Sequence, residues 1–347
     1  MKPLTSQHQL NRVIVNGFKS IRRCDLPLSA LNILIGANGA GKSNFIEFFR
    51  LLKNIVKGNL DDHILSGGGI SDYLFHGRKT TSHIEAELWF GVYGYRFKIK
   101  PAPSENARLA DEACFDEHGV ALPCGDTIYN TIHSWRVYHF HDTSATAAMR
   151  HYEIVQDNKK LRSDAANIAP YLLRLKNDHA DAYREILDSI RLVAPFFDDF
   201  LLDPTDFGEK RKVNLSWRQK GSDYPMQPYH LSDGAIRFIC LATALIGPNP
   251  PATIIIDEPE LGQHPSALAI LAELIQNASK RTQLIAATQS PALIDYFNVE
   301  DVIVVNRKSG TSTFERLREK DFNVWLETYS VGELWSKNVI AGGPVHE

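Results

Sequence analysis

Long apolar runs are missing from this chain. No window approaches the roughly 18 consecutive apolar residues that a membrane-spanning helix needs, so no membrane partner is expected. An excess of one charge is missing as well. The 38 lysines and arginines nearly balance the 41 aspartates and glutamates, for a net charge of −3, so any nucleic-acid contact has to come from a local patch. Cysteine is scarce. Cys24, Cys114, Cys124 and Cys240 are scattered and form no C-x-x-C knuckle, which predicts reduced cytoplasmic thiols. The opening stretch, Met1 to Asn11, is polar and lacks the apolar core of a secretory signal, so the expected location is cytoplasmic. No internal repeat, low-complexity run, heptad pattern, zinc finger or helix-turn-helix is present. What remains is a 347-residue chain of ordinary globular composition, 44% hydrophobic and 23% charged, long enough for two domains or one large elaborated one.

Against this background one stretch stands out. Gly36-Ala37-Asn38-Gly39-Ala40-Gly41-Lys42-Ser43 fits G-x-x-x-x-G-K-[ST] at every fixed position. Leu31 to Ile35 before it reads as a buried strand, and Asn44 to Leu52 after it reads as a helix. Strand, glycine loop and helix start together form a phosphate cradle. The glycines let backbone N–H groups of Asn38, Gly39, Ala40 and Gly41 approach an anion, and the helix N-terminus adds partial positive charge. In this pattern Lys42 reaches the β- and γ-phosphates of ATP, and Ser43, with Asn44 beside it, stands where Mg2+ is held.

The C-terminal third holds what a phosphate loop alone lacks. Thr253-Ile254-Ile255-Ile256-Asp257-Glu258-Pro259-Glu260 is an apolar run ending in acids, which predicts a central parallel strand. Asp257 is placed to hold Mg2+, and Glu258 to orient and polarise the attacking water. About 25 residues upstream of Asp257 lies Leu231-Ser232-Asp233-Gly234 before a strongly apolar helix. Ser232 is a good N-cap, and Gly234 permits close approach to the backbone. Downstream, Gln283 to Pro291 reads as another apolar strand with a polar end at Gln289.

These motifs together resemble the ABC-type ATPases. The resemblance implies that Ser232 and Gly234 form a signature loop touching the γ-phosphate held by a second subunit. It thereby implies a head-to-tail homodimer sandwiching two ATP molecules. Gln289 takes the place of the usual switch-strand histidine; it can donate a hydrogen bond to phosphate or water but takes up no proton near neutral pH, so it is a sensor candidate. The family's loop glutamine has no counterpart, because no glutamine lies between Ser43 and Val155. His139, His141 or Asp142 reads either as its substitute or as an ordinary strand-end residue.

Arg12 to Ile21, with its Asn16-Gly17-Phe18-Lys19-Ser20-Ile21 end, is more similar to RecF, SMC and OLD-type ATPases than to transporter subunits. That resemblance adds Phe18 and Lys19 to the nucleotide-site candidates. The runs Asp257 to Pro265 and Ala287 to Pro291 look like those of compact bacterial RecF-like proteins labelled AAA family ATPases. Phe75 to Lys79, Trp135 to Ser144, Leu161 to Asn167, Glu327 to Trp335 and the Gly342-Gly343-Pro344 tail match as well. The implied fold is α/β: a P-loop NTPase head of ABC type with a mainly parallel core sheet, an antiparallel β-lobe and a helical lobe. It is expected to be one head over 1–347 with interleaved lobes. Residues 1–145 would carry the phosphate loop and β-hairpins, 146–230 a helical insert, and 231–347 the signature, acidic pair and switch strand.

Locally, Ile84 to Phe90 and Tyr93 to Ile99 predict a hairpin across Gly91 and Gly94. Trp135 to His141 and Lys212 to Gln219 predict strands, and Ile168 to Leu175 and Tyr183 to Val193 predict helices. The resemblance implies double-stranded DNA as a partner. Lys210-Arg211-Lys212, Arg218 and Lys220 with Trp217 interleaved read either as a phosphate-contacting hairpin or as a solvated polar face. The tail after Gly310 is too short for the Toprim nuclease of OLD-type relatives, so nuclease action would need a separately encoded effector. Stand-alone relatives of this kind suggest DNA repair or anti-phage defence. The competing readings are a transport ATPase subunit and a nucleotide-dependent switch with little hydrolysis.

Overall fold

A computed structural model describes residues 9–340. The Gly342-Gly343-Pro344 match and the first eight residues of the polar opening stretch lie outside them. In chain order the structure begins with β1 (Arg12–Phe18), β2 (Ile21–Pro27), β3 (Leu31–Ile35) and α1 (Lys42–Val56). There follow α2 (Leu60–Ser66), α3 (Ile70–Tyr73), β4 (Ile84–Phe90), β5 (Tyr93–Pro101), β6 (Ala107–Asp116), β7 (Ala121–Leu122), α4 (Asp126–Ser134) and β8 (Arg136–Tyr138). The strands β2-β1-β4-β5-β6-β7 form an antiparallel six-stranded sheet in that order. Alternate residues of β4 are buried, as expected for a sheet with one face on a core. Val15, Ala86, Leu88 and Phe97 belong to one core cluster with Phe48 and Phe49 of α1.

Two expectations change here. The β4–β5 turn is Gly91-Val92, while Gly94 lies inside β5, where an added Cβ would collide with the Phe115 ring. Cys114 and Cys124 are not reduced thiols but form a disulfide, with Cα atoms 5.0 Å apart. The cause is the β6–β7 hairpin. It pairs Cys114 with Leu122 and so folds the chain back on itself, which residue spacing alone does not reveal. Cys24 and Cys240 are free and buried, and burial pushes both thiols up to about 12.

Residues 138–250 and 259–278 make up a second compact unit, the remainder the first. The second holds β9 (Glu153–Ile154), α5 (Ile168–Asp178), α6 (Ala180–Val193), β10 (Phe197–Leu201), β11 (Thr205–Phe207), β12 (Lys210–Val213), β13 (Ser216–Gln219), β14 (Pro225–Met226) and α7 (Asp233–Ile246). The strand expected over Trp135 to His141 is confined to β8. The strand expected over Lys212 to Gln219 is two strands in different sheets, β11-β12-β9 and β10-β13-β14. The break falls at Asn214-Leu215. Asn214 Nδ2 donates to Gln227 Oε1 (3.1 Å), and its Oδ1 accepts from Ser216 Oγ (2.8 Å). Trp217 is 1% exposed and stacks on Phe197, so it is core and does not interleave with exposed cations.

The chain returns to the first unit for β15 (Thr253–Asp257), passes through α8 (Pro265–Ser279), which belongs to the second, and continues in the first with β16 (Gln283–Thr288), α9 (Pro291–Ile294), β17 (Val302–Lys308) and β18 (Thr311–Arg316). The core sheet runs β18-β17-β3-β16-β15-β8. The neighbours β17, β3, β16 and β15 are mutually parallel, and β18 is antiparallel to β17. Every residue of β3, β15 and β16 is buried, which explains their near-continuous apolar runs. Two polar exceptions are paired: Gln283 Nε2 donates to Leu10 O (2.7 Å) and Ser29 O (2.9 Å), while Asn32 Nδ2 donates to Ser29 O (2.8 Å) and Leu284 O (3.1 Å). The consequence for function is positional. The glycine loop, Asp257-Glu258 and Gln289 all lie at the C-terminal ends of adjacent parallel strands, where open α/β sheets place their ligands.

Candidate active site

The loop between β3 and α1 has the backbone that its glycines allow. Gly39 and Gly41 take φ of 78° and 116°, a region side chains disfavour. At Gly36 an added Cβ would collide with Val305 O. Gly41 caps α1 and has no side chain with which to occupy the first-turn N–H groups, so that turn presents them to an anion. Asn38 and Gly39 are exposed at the tip, and Ala40 is buried beneath it. Lys42 is 6% exposed; its Nζ donates to Gly36 O (2.6 Å) and Ala37 O (3.2 Å), which curls the ammonium back over the loop. Ser43 is exposed at the helix start.

Side chains from distant elements hold this loop. Asn44 Nδ2 donates to Ser20 Oγ (2.7 Å), Ser20 Oγ lies 2.7 Å from Ser312 Oγ, and Ser312 Oγ donates to Ala40 O (2.6 Å). One proton per hydroxyl satisfies the chain if Ser20 donates to Ser312. Arg307 Nη1 adds a bond to Gly39 O (3.2 Å). Sequence reasoning left Ser312 and Arg307 unidentified, and no local signal marks them. Ser20 stood inside a recognised motif without a role of its own.

Phe18 and Lys19 divide. Phe18 is fully buried against Phe48 and Tyr73, so its ring is core beneath α1 and the structure does not bring it to the loop. Lys19 takes φ 46° and rests its Nζ 4.4 Å above the Tyr73 ring. Further along α1, Glu47 binds Arg50 (3.0 Å) and His63 (3.1 Å). Burial pushes the Glu47 carboxyl up, but the hydrogen bonds and charges of His63 and Arg50 outweigh it and hold the group below the usual glutamate range.

Asp257 closes β15 and is 9% exposed. Glu258 follows with φ 47°, a left-handed backbone that costs a non-glycine residue about 1–3 kcal/mol and is found where the surroundings impose it. Its N–H donates to Ala287 O (2.8 Å), which anchors the turn on β16. Gln289, just past β16, donates Nε2 to Glu258 Oε1 (2.6 Å). The two residues proposed to act on water are therefore joined.

In the second unit Ser232 caps α7 as expected, its Oγ accepting from Ala235 N (3.2 Å). Arg150 braces the approach, donating to Thr143 O (2.9 Å), Pro228 O (2.6 Å) and Leu231 O (3.1 Å) and pairing with Asp233 (2.9 Å). Gly234 has an internal reason to be glycine, since an added Cβ would collide with Gly262 O. The His139 and His141 rings meet at a tilt of 43° with centroids 4.0 Å apart, whereas Asp142 spends Oδ1 on Ser144 N (3.1 Å) and Oγ (2.6 Å) in a local turn. Of the basic candidates, Arg218 pairs with Asp198 (2.6 Å) and Arg211 with Asp206 (3.5 Å), so acids offset part of that charge.

With a glycine loop after β3, a polar strand end after β16 and an acidic pair at the end of β15, the chain has the fold of an ABC-type, RecF/SMC-like P-loop NTPase head. The chain belongs to the family described as "AAA domain, putative AbiEii toxin, Type IV TA system", whose profile matches residues 31–295. It is 40% identical over 86 residues to the DNA replication and repair protein RecF of Vibrio atlanticus (strain LGP32), a match covering 24% of this chain and 23% of that protein. RecF of Aliivibrio salmonicida (strain LFI1238) is 39% identical over 87 residues, with 24% and 23% covered. The chain thus spans about a quarter of the length of the curated relatives it matches. In fold it is similar to the Smc head solved bound to the C-winged helix domain of ScpA, with TM-score 0.64, 16% identity, and 90% of this chain and 99% of that one covered. The Pyrococcus furiosus Smc head with an extended coiled coil, bound to the C-terminal domain of ScpA, gives TM-score 0.58 at 15% identity, with 92% and 98% covered. Among the described residues no helix is long and apolar enough to cross a membrane.

Proposed function

We propose that this protein binds ATP with Mg2+ in the Gly36–Ser43 loop and hydrolyses it, two copies closing head-to-tail around two nucleotides. The observation that carries the reading is the 2.6 Å bond between Gln289 and Glu258 at a strand end neighbouring the one that bears the phosphate loop. The donors suit the ligands. Gly36, Gly39 and Gly41 add no side chains to the cradle, and the Ser43 hydroxyl and Asp257 carboxylate are the hard oxygen donors that magnesium prefers. When bound, the ion would neutralise charge on the phosphates. Lys42 would bind phosphate oxygens of the nucleotide. Glu258 orients the attacking water and draws on its proton, while Gln289 fixes the carboxylate by holding Oε1. Ser232 and Gly234 of the second copy complete the site.

RecF, by name a replication and repair protein, and Smc heads solved with ScpA support two output classes, double-stranded DNA and a separately encoded partner such as a nuclease or other effector. Repair and anti-phage defence are the corresponding settings. The deciding variant is Glu258→Gln, which should retain ATP and double in mass by light scattering when ATP is added. A nucleotide-loaded monomer refutes the composite site. An ATPase assay with duplex, nicked and single-stranded DNA then reads the output, and salt-sensitive stimulation supports phosphate contacts. A slow regulatory switch is the second reading, favoured by the same Gln289 bond if it restrains Glu258; turnover that stays negligible with every DNA supports it.

A further inference from the structure

Arg237 is the buried cation of α7, 5% exposed in an otherwise apolar stretch of helix. Its guanidinium is satisfied by backbone carbonyls. Nε donates to Phe140 O (2.8 Å), Nη2 to His141 O (3.0 Å) and Nη1 to Leu261 O. Burying a cation is costly unless hydrogen bonds replace its water, so the site is built around those carbonyls. The packing beside it is equally close. Gly262 takes φ 72°, and an added Cβ there would stand 2.6 Å from Arg237 Nη1. Gln263 Nε2 donates to Gly234 O (3.2 Å). The turn bearing Ser232 and Gly234, and the Leu261–Gln263 loop that follows the acidic pair in sequence, are therefore fastened at two points.

We propose that Arg237 is a positioning residue that locks the Ser232–Gly234 turn to the Leu261–Gln263 loop, so that the face offered to the second copy's nucleotide is set as one body. The proposal rests on the composite-site reading above. It makes Arg237 necessary for pairing of two copies and unnecessary for filling the Lys42 cradle. Lysine at this position keeps the charge but presents one ammonium where a planar fork spans three carbonyls.

The test uses full-length protein in the Glu258→Gln background, with a fluorescent ATP analogue for binding and light scattering for dimer strength. Glu258→Gln/Arg237→Lys should bind nucleotide within twofold of Glu258→Gln alone, while its nucleotide-dependent dimer weakens at least tenfold. Gln263→Ala cuts the second fastening without touching a buried charge and should weaken the dimer in the same direction by a smaller factor. If the lysine variant loses its cooperative melt, Gln263→Ala decides alone. Undiminished dimers overturn the inference and leave the composite site standing. Equal loss of nucleotide binding and dimer overturns it too, because a general collapse weakens both. A Glu258→Gln protein that stays monomeric with ATP removes the composite site and this inference with it.

Discussion

Replacing Gln289 by alanine removes the 2.6 Å bond from its Nε2 to Glu258 Oε1. A hydrogen bond to a charged acceptor contributes about 1.5–3 kcal/mol. Glu258 leaves its backbone from a left-handed conformation at φ 47°, so its side chain starts in an uncommon direction and the amide sets where the carboxylate ends. If that bond is kept in full only as water attacks, turnover falls roughly 10- to 150-fold, since each 1.36 kcal/mol is a factor of ten. Nucleotide affinity should hold, because the loop and Lys42 are anchored through Gly36, Ala37, Ser20 and Ser312. Single-turnover hydrolysis at saturating ATP, with affinity measured separately, reads the two apart. Gln289→Glu is the sharper variant: two adjoining carboxylates share a proton toward neutral pH, which disables the base. The reasoning is refuted if Gln289→Ala hydrolyses ATP as fast as wild type or faster. The amide then restrains Glu258 instead of positioning it, and the switch reading gains.

Three further outcomes follow from the geometry. Lys42→Ala should weaken ATP at least tenfold in a fluorescent-nucleotide titration, as loss of a charge-assisted contact does, and unchanged affinity removes Lys42 from the cradle. Reduction of Cys114–Cys124, which are 10 residues apart, should lower Tm by a few degrees, because such a cross-link stabilises by about 3 kcal/mol in the chain-entropy view; an identical melt with reductant shows the bond to be idle. Glu47, held below the usual glutamate range, stabilises the fold above its ordinary pKa of about 4.3, and that stability is lost as pH falls through the depressed native value. The Tm gap between wild type and Glu47→Gln should accordingly be full at neutral pH and close in acid, and a pH-independent gap removes the ion pair as its cause.

What was legible was local. The glycine loop between Ile35 and Asn44, the acids after Ile256 and the N-cap at Ser232 announce themselves within a dozen residues, because strand, turn and helix chemistry act over that range. What escaped was set by pairing at a distance. Ser312 acts on Ala40 across 272 residues, and no pattern around Ser312 distinguishes it from a solvated serine in a strand. Lys212 to Gln219 keeps strand-like composition throughout, yet Asn214 turns the chain from one sheet into another. Trp217 reads as an aromatic among cations because Arg218 and Lys220 flank it. Alternation along β13 sends the tryptophan inward and lets Arg218 reach Asp198. Cys114 and Cys124 met through a hairpin whose second strand is only Ala121–Leu122, too short to leave a period.

The sheet order has a consequence for when this protein becomes competent. β3 precedes the phosphate loop in sequence, but its neighbours β16 and β17 are made about 250 residues later. The serine that braces Ala40 comes later still, on β18. A growing chain therefore carries its most recognisable motif as an unpaired apolar strand and an unbraced loop until the last strands join. Nucleotide binding should switch on only once β18 has been made, and truncation before Thr311 should leave a chain that displays the motif and cannot use it.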